Sequence, residues 1–130
     1  MRVLRITRHP LQEAQKIGLR VAAQRLLGRD DEVEVIEHAG TISSPEEVLE
    51  LVRKHQADIV EAVLPITLLA AVMELFRKEG LKIPVIRAVM ERRVAGETAT
   101  FEWRAYEEVK SIKVETAEVC RLDELNELNA

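Results

Sequence analysis

Two of the three histidines, His9 and His38, stand in short polar stretches that follow aliphatic runs: Thr7-Arg8-His9-Pro10 and Glu37-His38-Ala39-Gly40-Thr41. An imidazole trades a proton near neutral pH, an arginine such as Arg8 offers a planar fork to a phosphate, and helix N-termini offer backbone N–H groups. Gathered in one place, such groups suit a phosphodiester. Each also has a plainer role. His9 can cap a helix behind Pro10, His38 can be an exposed loop histidine, and Arg8 can form a surface ion pair. Thr67 reads as a first-turn helix residue, Glu91-Arg92-Arg93 as a solvated strand end, and His55 as a helix-end residue with no chemical role.

These stretches act together only if the fold positions them. Residues 2–7 predict a strand, and Pro10 suits the first turn of a helix whose apolar positions Leu11, Ala14, Ile17, Val21, Ala22 and Leu26 recur at three and four before Gly28. Val33 to Ile36 predict a second strand, and Ser44-Pro45-Glu46-Glu47 open a second helix with a cap, a proline and an acidic first turn. Ile59 to Leu64 predict a third strand and Pro65 to Gly80 a third helix. Pro84 to Met90 predict a fourth strand. Within the third, the carboxylate of Glu61 needs a partner if buried, and Arg87 on the next strand can supply it.

Three strand–helix units followed by a strand predict an α/β fold. The expected form is a small three-layer, Rossmann-like fold on a mostly parallel sheet of order 2-1-3-4. Its strand carboxyl ends and helix N-termini share one edge, which gathers the loops at residues 7–10, 37–41, 64–67 and 90–93. On that order His9 and His38 approach each other across one edge while Thr67 joins from the other side. After Ala95-Gly96 the period becomes two, predicting antiparallel strands at 98–106 and 112–116. This extension over 98–117 either lengthens the sheet or pairs with its like in a second subunit, and Phe101 and Trp103 on it read as core or dimer surface. Residues 121–129 read as a short helix or tail, and residues 1–130 as one domain.

Composition narrows the functions. A chain of 130 residues with 47% hydrophobic and 32% charged residues has the apolar content of a globular protein, and its net charge of -4 argues against a general grip on duplex nucleic acid. The single cysteine, Cys120, makes neither an internal disulfide nor a cysteine zinc cluster. With no long apolar run and no signal-like start, a cytoplasmic protein without membrane contact is expected. G-x-G-x-x-G, the P-loop, G-x-S-x-G and H-E-x-x-H are all missing from the sequence, and with His9 and His38 on different loops and no close acidic cluster, no metal site or cofactor is expected.

The opening V-L-R-I-T-R-H-P, the second strand ending in a histidine, and A-D-I-V-E-A-V-L-P-I-T-L-L-A resemble a small accessory family of type III CRISPR systems. The resemblance covers about the first half of the chain, and the stretch around Phe101 to Thr116 departs from it. It implies a small Rossmann-like fold that binds cyclic oligoadenylate second messengers and cleaves them without a metal. In that chemistry a ribose 2′-OH attacks its own adjacent phosphate. His9 and His38 would then be the acid and base, Arg8 the clamp, and Thr67 with helix N–H groups the phosphate cradle, with Thr7 and Arg92 completing the binding set. A symmetric ligand would favour a homodimer. The alternative is a non-catalytic nucleotide-binding or protein-interaction module.

Overall fold

The computed structural model describes residues 1–113 and 115–128. Along the chain run β1 (Arg2–Ile6), α1 (Glu13–Leu27), β2 (Glu34–His38), α2 (Pro45–His55), β3 (Ile59–Ala62), α3 (Ile66–Lys78), β4 (Val85–Ala95), β5 (Thr98–Glu108) and α4 (Leu122–Leu128). The strands form one sheet of order β2-β1-β3-β4-β5, parallel throughout except for the antiparallel β4–β5 pair. The predicted α/β class and the 2-1-3-4 order of the first four strands are what the structure has.

Period-two alternation divides the core. Leu4, Ile6, Val60, Ala62 and Val85 face α2 and α3, where they pack with Val48, Val52, Leu69, Val72 and Phe76. Val3, Ile59 and Ile86 face the other way, against Leu19 and Ala23 of α1. Central strands buried on both faces account for the near-continuous aliphatic runs in the sequence.

Several boundaries differ from the sequence expectation. α1 begins at Glu13 rather than in the Pro10 turn, because the Gln12 backbone N–H is capped by the Gln15 side chain at 2.9 Å. β3 ends at Ala62, before Val63 and Leu64. β4 runs on past Met90 to Ala95, and Gly96, with φ of +65°, starts the two-residue turn into β5. The antiparallel partner of residues 98–108 is therefore β4. The expected strand at 112–116 is not formed among the described residues there, and Val114 lies outside them. Ile112 instead packs on the α2/α3 core.

The register gives the β4–β5 hairpin its position. Glu61 of β3 lies opposite Ile86, so the nine residues of β4 beyond it pass the point where β3 ends one residue later. The hairpin thus rises above the carboxyl edge of the sheet. An irregularity between Val89 and Met90 bends it, and Trp103 lies over α1 at Gly18, where an added Cβ would sit 2.4 Å from the indole.

Candidate functional site

The carboxyl rim is built around Arg5. Its position on β1, between β2 and β3 and in register with Glu61 on β3 and Glu37 on β2, makes it the hub of a polar network under α1. Arg5 Nε donates to Glu61 Oε1 at 3.1 Å and Nη2 to Oε2 at 3.4 Å, while Nη1 reaches Glu37 Oε1 at 3.1 Å and the His9 carbonyl at 3.4 Å. Glu61 is 1% exposed, a burial that a carboxylate tolerates only with such partners. The expected pairing of Glu61 with Arg87 is not the one formed. Because Glu61 lies opposite Ile86, Arg87 points to the other face of the sheet and pairs there with Glu107 at 2.8 Å.

The network continues outward. The Tyr106 hydroxyl donates to Glu61 Oε1 at 2.8 Å and accepts from Gln15 Nε2 at 3.1 Å. Burial, reinforced by the Glu61 carboxylate, pushes the Tyr106 phenol far above its ordinary value of 10.0, so it stays a neutral donor. Gln12, at the start of α1, donates from Nε2 to the Phe101 carbonyl and accepts the Trp103 N–H, at 3.0 and 3.1 Å. Its side-chain amide thereby satisfies two backbone groups on the outer edge of β5. A continuous set of hydrogen bonds therefore links the hairpin, through Gln12, Gln15, Tyr106, Glu61 and Arg5, to the backbone of His9.

Above this network the loop after β1 meets the loop after β2. Arg8 Nε donates to the Ala39 carbonyl at 3.2 Å and Nη2 to Thr41 Oγ1 at 3.0 Å. Both acceptors are neutral, and among the described residues Arg8 enters no ion pair, so its charge is left uncompensated. Thr7 is turned inward to its own loop, its hydroxyl accepting the His9 N–H at 3.1 Å. His9 is exposed. His38 is half-buried on the α2 side, in a shallow groove with Ile42, Glu47, Leu51 and Lys54. Its ring lies so close to Gly40 that a Cβ there would come within 2.9 Å of Nε2.

The structure thus joins Thr7, Arg8 and His9 to the loop that follows His38. Two other expected residues stand apart from that junction. Thr67 is exposed in the first turn of α3, and Arg92 is exposed on β4 opposite Phe101, above the rim. Sequence reasoning missed Arg5, Gln12, Gln15 and Tyr106. Arg5, a charge inside an aliphatic strand, carried the same signal that singled out Glu61. Among the described residues no three His, Cys, Asp or Glu side chains are gathered for a metal ion, and no helix is long and apolar enough to cross a membrane.

Fold and rim together define an α/β protein of Rossmann-like sheet topology with an uncompensated cation at its carboxyl edge. No family model matches the chain, and comparison with curated proteins and with solved structures finds no match.

Proposed function

We propose that this protein binds a cyclic oligoadenylate at the carboxyl rim of its sheet, as a receptor for the second messenger of type III CRISPR defence. The observation that carries the reading is Arg8, which draws two rim loops together through neutral acceptors and keeps its full charge for an anion. The opening T-R-H-P stretch, which resembles the accessory family, lies on one of these loops. Calorimetric titration with cyclic tetra-adenylate tests it. Wild type binds, and Arg8→Ala weakens binding about 10- to 100-fold, the worth of a charged hydrogen bond. Equal affinity in the two proteins, or no binding by wild type, contradicts the proposal.

A second reading, ring cleavage, is favoured by His9 on one of the two joined loops and by His38 at the end of β2, just before the other. The 2′-oxygen would attack the adjacent phosphorus as its proton passes to one imidazole, and the 5′-oxygen would leave with a proton from the other. Linear products ending in a 2′,3′-cyclic phosphate follow. Their formation by wild type, and loss in His9→Ala and His38→Ala with binding retained, supports cleavage. Intact ligand after prolonged incubation leaves the binding module.

A further inference from the structure

Strand alternation gives the β4–β5 hairpin two unlike faces. On the α3 side stand cross-strand ion pairs: Arg87 with Glu107 at 2.8 Å, Arg93 with Glu102 at 3.2 Å, and Arg104 with Glu91. On the α1 side the register aligns Ala88 with Tyr106, Met90 with Trp103, Arg92 with Phe101 and Val94 with Ala99. α1 covers only the inner part of this face. Beyond it Val94 is 64% and Phe101 60% exposed, with Met90 beside them. Arg92, in their midst, forms no ion pair among the described residues.

The C-terminal segment has the complementary character. α4 places Leu122 and Leu125 one turn apart, Leu122 being 72% exposed, and Val119 just ahead of them is exposed as well. The charged residues of α4, Asp123, Glu124 and Glu127, are all acidic. An apolar stripe flanked by carboxylates fits an apolar sheet face that carries one uncompensated arginine. The chain's own tail departs from the wrong side. After β5, Val109 and Ile112 pack on the α2/α3 core, across the sheet from the exposed hairpin face.

We propose that the outer α1-side face of the hairpin receives α4 of a second copy of this chain, in a reciprocal two-fold exchange. Each copy gives one helix and accepts one, so the contact closes at a dimer and covers both apolar surfaces. Arg92 then meets the acidic residues of the incoming helix.

Sedimentation analysis of the full chain at micromolar concentration tests this. Wild type is a dimer; Phe101→Glu and the pair Leu122→Glu/Leu125→Glu each weaken association about thirtyfold or more, as loss of a hot-spot contact does. Mixing these two variants restores a weaker heterodimer, since one intact hairpin face still meets one intact helix. Arg92→Glu is rescued by Asp123→Lys/Glu124→Lys. Removal of residues 117–130, which leaves every strand in place, also gives a monomer. A monomeric wild type, a dimer that survives that removal, or variants that fail to complement on mixing would each overturn the proposal.

Discussion

The two faces of the sheet are held in different ways. Under α2 and α3 the buried side chains are aliphatic or Phe76, and they interlock without a hydrogen bond between them. Under α1 the buried apolar set is small, and Arg5, Gln15 and Glu61 occupy the space where further aliphatic residues would otherwise pack. Apolar contact is non-directional and supplies stability, whereas hydrogen bonds fix positions and contribute modest net energy. The α2/α3 face accordingly holds the fold together. The α1 face sets where the His9 loop and the hairpin stand.

Substitutions on each face sharpen this contrast. The largest effect is expected from Glu61→Ala, which strands the Arg5 charge in the interior and costs about 3–5 kcal/mol in urea unfolding. Replacing both partners, as Arg5→Met with Glu61→Leu, should recover most of that stability while leaving the His9 carbonyl without its donor. Phe76→Ala on the opposite face costs a comparable ~3–5 kcal/mol through the cavity it leaves, yet cyclic tetra-adenylate affinity of the folded protein stays unchanged. A drop in affinity equal to that of the Arg5 and Glu61 double variant would erase the distinction.

Gly18→Ala is expected next. Alanine normally strengthens a helix, but here its Cβ meets the Trp103 ring, so overpacking of about 1–3 kcal/mol outweighs the gain in propensity. Thermal unfolding shows the sign. A smaller effect belongs to alkaline pH. The Tyr106 phenol titrates higher in the folded than in the unfolded chain, so its contribution is complete below the unfolded value of 10.0 and is lost as pH rises above it. Tyr106→Phe removes that alkaline slope. Smallest is Arg87→Ala, which breaks an exposed pair and shifts stability by no more than about 1 kcal/mol.

The strand order was legible because alternating apolar strands and amphipathic helices admit few right-handed arrangements. The Arg5–Glu61 pair was not. Choosing between Arg5 and Arg87 requires the β3–β4 register, which a short four-residue strand does not announce. The hairpin was half legible. Residues 98–106 alternate clearly, but the charges Glu91-Arg92-Arg93 hid the continuation of β4, because Glu91 and Arg93 are balanced only across the strands, by Arg104 and Glu102. Ala95-Gly96-Glu97 between two alternating runs was the available turn signal. At the rim, the meeting of Thr7-Arg8-His9 with Ala39 and Thr41 followed from the adjacency of β1 and β2. The turn of His38 toward α2 depends on the pleat at the last residue of β2 and on the space over Gly40.

Hydrogen exchange on Arg5→Lys tests most directly whether the polar face positions the rim. Lysine keeps the charge opposite Glu61 but cannot reach Glu61, Glu37 and the His9 carbonyl at once. The His9 and Gln12 amides, held by Thr7 Oγ1 and Gln15 Oε1, should exchange at least about tenfold faster, while those of α2 and α3 keep their protection. A uniform rise on both faces, or unchanged protection in the His9 loop, would contradict the division of labour between the two sides of the sheet.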